Sequence, residues 1–106
     1  SAGECAILLK RSGADVIGSN CGSGIEDFVS IVREMNAENI PIWVKPNAGI
    51  PQLVKGKTVY PDTPEHMAGY VPELIKAGSS IIGGCCGTTP LHIREIKKAV
   101  SMYLKQ

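Results

Sequence analysis

Apolar residues in this chain follow two different spacings. Short runs of β-branched residues, bounded by glycine or polar residues, predict three strands at residues 15–19, 40–45 and 80–84. Elsewhere apolar residues recur every three or four positions, which is typical of one face of a helix. A helix is predicted at residues 3–12, and three more follow from longer apolar stripes. Those stripes are Ile25, Phe28, Val29, Val32 and Met35; Met67, Val71, Leu74 and Ile75; and Ile93, Ile96, Val100 and Tyr103.

Helix boundaries carry matching signals. Thr63 and Thr89 each precede a proline, so each places a capping hydroxyl before a residue favoured at the first helical position. Gly13 and Gly78 follow predicted helices, where a left-handed residue commonly ends the last turn. Each of these positions therefore supports the helices that the apolar stripes predict.

Helices and strands thus alternate along the chain, which predicts βαβ units and a parallel sheet with right-handed crossovers. Residues 13–22 (GADVIGSNCG) and 78–87 (GSSIIGGCCG) form an internal repeat. Residues 46–62 are predicted to be a long irregular loop. Three parallel strands leave two unpaired edges and cannot close a barrel. The chain is therefore either a small open α/β domain or part of a larger structure.

Composition narrows the classes of function. The 106 residues suffice for one domain, and 43% hydrophobic with 20% charged residues is a globular composition. A net charge of +1 without a basic run argues against nucleic acid or a membrane surface as partner. No apolar run approaches the roughly 20 residues of a membrane span. No signal peptide is recognisable, and four unevenly spaced cysteines do not resemble a secreted disulfide scaffold, so we expect a reducing, cytoplasmic location.

Thiols and amides gather where the predicted strands end. Asn20 and Cys21 follow the first strand, Asn47 the second, and Cys85 and Cys86 the third. Parallel strands end at one edge of a sheet, where α/β folds place their working groups. Three thiols there can hold one zinc ion and leave a fourth position open, as catalytic zinc sites do. The two amides are candidates to orient a substrate or fill that position, and the alternative is local backbone capping.

Other conspicuous residues are assigned to packing or to solvent. Cys5 is predicted to pack within the first helix, because free cysteines are usually buried. His66 and His92 each lie three residues after a capping threonine and are predicted to be surface residues of the first turn. Trp43 and Tyr70 are expected to pack rather than to bind a ligand.

Three motifs resemble one known family. GADVIGSNCG, VKPNAGIP and SIIGGCCGTTPLHI resemble the C-terminal third of the homocysteine S-methyltransferase family, a zinc-dependent (β/α)8 barrel. The resemblance extends over about residues 13–99. It implies that Cys21, Cys85 and Cys86 bind zinc, and that the predicted strands are the sixth, seventh and eighth of a TIM barrel. Residues 1–106 would then form the C-terminal segment of that domain.

Within the family, KPNAGIP resembles the branch that forms the homocysteine domain of cobalamin-dependent methionine synthases. The resemblance implies methyl transfer to the thiol of homocysteine, giving methionine, with methylcobalamin or another methyl donor bound outside this segment. We expect the 106 residues alone to be inactive, and to self-associate or to pair with the remainder of the barrel.

Two other hypotheses remain open. The chain could be a non-catalytic, thiol-rich zinc-binding or redox module in which Cys85 and Cys86 act as a vicinal switch. It could also be a structural piece that is inert without its partner.

Overall fold

A computed structural model describes all 106 residues of the chain. The first element is a helix, and the three strands of the main sheet are separated by helices as predicted, with an additional pair of strands after the second of them. The α-helices are α1 (Ala2–Arg11), α2 (Phe28–Met35), α3 (Pro64–Ala68), α4 (Val71–Ala77) and α5 (Pro90–Leu104). The strands are β1 (Ile17–Cys21), β2 (Ile42–Pro46), β3 (Gln52–Val54), β4 (Lys57–Val59) and β5 (Ile81–Ile82). Short 3-10 turns, Ile25–Asp27 and Asn36–Glu38, flank α2.

The main sheet has three parallel strands in the order β1-β2-β5, which confirms the predicted parallel α/β arrangement. Ile17 pairs with Ile42 and Cys21 with Pro46. The observed β1 and β2 begin two residues later than predicted, since Pro41 has no N–H with which to extend the ladder. β1 also ends two residues later than predicted, so Cys21 is its last residue and does not lie beyond the strand.

Helices cover one face of this sheet and leave the other open. Along β2, Ile42, Val44 and Pro46 are buried against the helices, whereas Trp43 and Lys45 point to the open face. Trp43, which is expected to pack rather than to bind a ligand, is 43% exposed and does not belong to the core. Its ring instead lies 5.2 Å from the Lys45 ammonium. The sheet therefore has one face buried by the helices and one accessible face.

The predicted irregular loop contains a hairpin. Strands β3 and β4 pair antiparallel and are joined by Lys55 and Gly56, whose φ angles are +50° and +76°. Positive φ at both central residues gives the turn a twist that matches the strands. Leu53 is 78% exposed and the hairpin buries no apolar face, so no alternating pattern marks it in the sequence.

The apolar stripe that begins at Met67 belongs to two helices rather than one. Met67 in α3 and Val71 and Leu74 in α4 are all buried, so the stripe identifies the correct inward face. The helix is interrupted between them because Pro72 has no N–H to donate to the carbonyl of Ala68. Each short helix can nevertheless bury its side of the stripe.

Both predicted threonine caps are present. The Thr63 hydroxyl accepts a hydrogen bond from the N–H of His66 at 3.1 Å, and His66 is exposed as predicted. The N–H of Thr89 donates to Nδ1 of His92, which leaves Nε2 to donate to the carbonyl of Asp62 at 2.8 Å. His92 is only 7% exposed, so its assignment to the surface is wrong. It packs inward because the bond from Nε2 ties the start of α5 to Asp62, in the segment that precedes α3.

None of the helices is both long enough and apolar enough to cross a membrane.

Candidate metal centre

Three of the four cysteines meet at the C-terminal edge of the parallel sheet. Cys21 ends β1, and Cys85 and Cys86 lie in the turn after β5. The Sγ atoms of Cys21 and Cys85 are 3.0 Å apart, those of Cys85 and Cys86 are 3.9 Å apart, and all three lie within 4.8 Å of one another. Cys5 lies elsewhere, on α1. It is exposed while its neighbour Ala6 is buried, so the prediction that Cys5 packs is wrong.

Left-handed backbone conformations shape the cysteine cluster. Cys21 has φ +65°, Gly22 +70° and Gly87 +80°. This conformation costs a residue with a side chain about 1–2 kcal/mol, so the surroundings must hold Cys21 in place. At Gly87 a Cβ atom would overlap the ring of Tyr60, which explains why glycine follows the cysteine pair. The tight turn allows two adjacent cysteines to direct their thiols toward one point.

The end of β2 joins the two cysteine-bearing segments through the backbone. The N–H groups of residues 47 and 48 donate to the carbonyls of Cys21 and Cys86, at 3.0 and 2.9 Å. The carbonyl of residue 46 accepts from the N–H of Cys85 at 2.9 Å. Each cysteine is therefore attached to the central strand, although β1 and β5 do not pair with each other.

Both asparagines that the sequence singles out lie beside the cluster, in different surroundings. Asn47 is 8% exposed; its Nδ2 donates to the carbonyl of Gly22 and its Oδ1 accepts from the N–H of Cys86, both at 3.1 Å. Asn20 is exposed, and its Nδ2 donates to Sγ of Cys21 at 3.3 Å. Asn47 thus holds backbone groups, whereas Asn20 touches a thiol and remains open to solvent.

The hydrogen bond between Cys21 and Cys85 separates their acidities. A thiolate at Cys85 accepts this bond, which lowers the pKa of Cys85 below that of an ordinary thiol. The same bond raises the pKa of Cys21, because its proton is the one being shared, and burial raises the pKa of Cys21 further. The pair therefore gives up its first proton readily and retains the second.

The donor set fits a zinc ion. Thiolates are the soft ligands that zinc prefers, and a tetrahedral site with Zn–S bonds of about 2.3 Å separates its sulfurs by about 3.8 Å. The 3.9 Å between Cys85 and Cys86 matches this spacing, and the closer pair would have to separate by roughly 1 Å. No histidine or carboxylate joins the three thiols. Three protein ligands leave a fourth position open.

A second group of potential ligands escaped the sequence analysis. Nε2 of His66 lies 3.4 Å from a carboxylate oxygen of Glu26 and 3.8 Å from one of Asp62. These residues come from separate segments of the chain, so no local motif announces them. This Asp62 oxygen, Oδ2, is buried and lies too far from Nε2 for a hydrogen bond, so it has no hydrogen-bond partner.

Comparison with known proteins gives one consistent family. A model of the homocysteine S-methyltransferase family matches residues 1–100. Methionine synthases from Mycobacterium tuberculosis and Mycobacterium leprae are each 43% identical over 104 residues, which is 93% of this chain and 8% of each relative. The oxidised homocysteine methyltransferase MmuM from Escherichia coli superposes with a TM-score of 0.65 at 27% identity, over 91% of this chain and 29% of that one. The chain thus spans a small part of each relative.

Proposed function

The chain belongs to the homocysteine S-methyltransferase family, and we propose that it forms part of an enzyme that transfers a methyl group to the thiol of homocysteine, giving methionine. The names of the relatives, methionine synthase and homocysteine methyltransferase, support this reaction. The observation that carries it is the cluster of Cys21, Cys85 and Cys86 at the C-terminal edge of parallel strands. Barrels of βα units place their active sites at that edge.

We place strands β1, β2 and β5 at the sixth to eighth positions of a (β/α)8 barrel, with residues 1–106 as its C-terminal segment. Two observations support a partial barrel. The two outer strands of the sheet each have a free edge that a further strand can pair with. Superposition on MmuM also accounts for only 29% of that chain. The accessible face of the sheet, which carries Trp43 and Lys45, would then line the barrel interior.

Cys21, Cys85 and Cys86 would hold the zinc ion. Bound zinc supplies the means to keep a substrate thiol ionised at neutral pH, where a free thiol with a pKa near 8.5 is mostly protonated. The three cysteine thiolates together carry more negative charge than a divalent cation neutralises. Their excess charge favours an electron-rich substrate sulfur, as attack on a methyl carbon requires.

The amides supply polar groups at the mouth of the cluster. Asn20 is exposed, and its carbonyl oxygen makes no hydrogen bond within the chain, so it can accept one from the substrate ammonium. Asn47 has one N–H and one oxygen lone pair left after its two backbone bonds. We therefore propose Asn20 and Asn47 as substrate contacts. The methyl donor, for which methylcobalamin is the candidate, would bind outside these residues.

The test compares Cys21→Ser with Cys5→Ser, in protein expressed together with the remaining barrel. Cys21→Ser should lose most of the bound zinc and most homocysteine methylation, because a hydroxyl does not replace a soft ligand. Cys5→Ser, the matched change on exposed α1, should keep both. Equal zinc content in the two variants would contradict the assignment. Metal-free protein whose cysteines oxidise reversibly without any methyl transfer would favour the redox module.

A further inference from the structure

We propose that Asn47 is a positioning residue, whose buried amide holds the segments of Cys21 and Cys86 at the separation that a shared ligand requires. The inference rests on the proposed role of the cysteines as one binding site. It goes beyond contact with substrate, because it assigns Asn47 a task that precedes any ligand. The contacts that carry it are the bonds from Nδ2 to the carbonyl of Gly22 and from the N–H of Cys86 to Oδ1.

The cluster needs such a connection because its two parts come from strands that do not touch. β1 and β5 flank β2 and pair only with it. Neighbouring strands lie about 4.8 Å apart, so the two flanking strands are separated by roughly 10 Å. The sulfurs of Cys21 and Cys85 nevertheless come within 3.0 Å. The chain must therefore converge beyond the strand ends, and Asn47, the first residue after β2, lies at the point of convergence.

Side-chain connections between the two segments are few. Apart from the contact between the thiols themselves, the only side chain that bonds to both segments is that of Asn47. Asn47 is itself 8% exposed and both of its bonds are partly buried, which limits the access of water to them. A carboxamide is suited to the task because it donates at one end and accepts at the other.

An aspartate at position 47 would keep the shape of the side chain but could make only one of its two hydrogen bonds. Its carboxylate could accept from the N–H of Cys86, but it would present an oxygen to the carbonyl oxygen of Gly22. An alanine would remove both bonds and leave the N–H of Cys86 and the carbonyl of Gly22 without their side-chain partner. The backbone bonds at residues 46–48 would remain, so both substitutions should loosen the spacing of the two cysteine segments rather than detach them.

Arsenite binding to the reduced, metal-free protein tests this directly. Arsenous acid is neutral and condenses with three thiols, so each thiol proton leaves with one arsenic hydroxyl as water and three As–S bonds replace three As–O bonds. Tight capture needs three thiols already close together. We expect Asn47→Ala and Asn47→Asp each to weaken arsenite binding by about tenfold or more, as expected for losing one or two hydrogen bonds.

Ser79→Ala is the matched control. Ser79 is also 8% exposed, and its hydroxyl donates to the carbonyl of Ile81 at the end of β5 away from the cysteines. It should leave arsenite binding unchanged even where it lowers the melting temperature. Asn47→Asp, being isosteric, provides a folded variant should Asn47→Ala unfold. Melting curves of all three variants separate loss of fold from loss of positioning.

The outcomes are distinct. Unchanged arsenite binding in folded Asn47→Ala and Asn47→Asp would overturn the positioning role, and a loss of homocysteine affinity alone would leave Asn47 as a substrate contact. Weakened arsenite binding in these variants, in a protein that never methylates homocysteine, would support positioning while refuting the proposed reaction.

Discussion

Replacing Gly87 with alanine tests how tightly the turn after the cysteine pair is built. Gly87 has φ +80°, a conformation that costs an alanine about 1–2 kcal/mol. The added Cβ would also lie 2.6 Å from Cβ of Tyr60, an atom so near the backbone that rotating the ring gives no relief. Overpacking of this kind adds about 1–3 kcal/mol. We therefore expect Gly87→Ala to destabilise the protein by roughly 2–5 kcal/mol.

Gly56→Ala isolates the backbone share of this cost. Gly56 has φ +76°, but a Cβ there would meet no atom within 4 Å. This variant should lose only the conformational term of about 1–2 kcal/mol. Urea unfolding measures both, and with a slope of about 1–3 kcal/mol per molar the two midpoints should differ by roughly 1 M. Equal midpoints for Gly87→Ala and Gly56→Ala would refute the steric part of the reasoning.

Two further predictions concern the acidity of the cysteine thiols and the self-association of the chain. In the metal-free protein, iodoacetamide should label Cys85 at lower pH than Cys21, because their shared hydrogen bond lowers the pKa of Cys85 and raises that of Cys21. Mass spectrometry of the labelled peptides measures the order, and labelling of Cys21 first would contradict this assignment of the two pKa shifts. The 106 residues alone should self-associate and should not turn over homocysteine. The double variant Ile81→Lys, Ile93→Lys should sediment more as a monomer, since both side chains are exposed beside the free edge of β5. A wild-type chain that is monomeric and active would contradict the partial barrel.

Sequence patterns predict those helices and strands whose buried face makes apolar residues recur at a regular spacing. The stripe of Phe28, Val32 and Met35 identifies the inward face of α2, and all three are buried. The hairpin formed by β3 and β4 escapes prediction because Leu53 and its neighbours bury nothing, so no face imposes alternation on them. Its one local signal is Gly56 in the turn, and a single glycine is compatible with many loops.

The burial of Cys5 and His92 is predicted wrongly for a different reason. Cys5 and Ala6 are adjacent on one helix, and which of them turns inward depends on where α1 packs rather than on residue type. His92 is drawn inward by the carbonyl of Asp62, thirty positions away, which no local pattern contains. The convergence of Cys21 with the Cys85 turn is more predictable, since strand order alone brings the ends of parallel strands to one edge.

The separation of the cysteines along the chain extends the effect of a bound ion well past the site. Cys85 lies 64 positions after Cys21, and the stretch between them contains β2, the hairpin, α3 and α4. An ion held by both would act as a cross-link that closes this loop in the unfolded chain. In the chain-entropy description developed for disulfides, closing a loop of that length is worth about 4 kcal/mol. If zinc fills this site as proposed, its supply would govern how long this whole segment survives proteolysis, as well as whether its thiols can react.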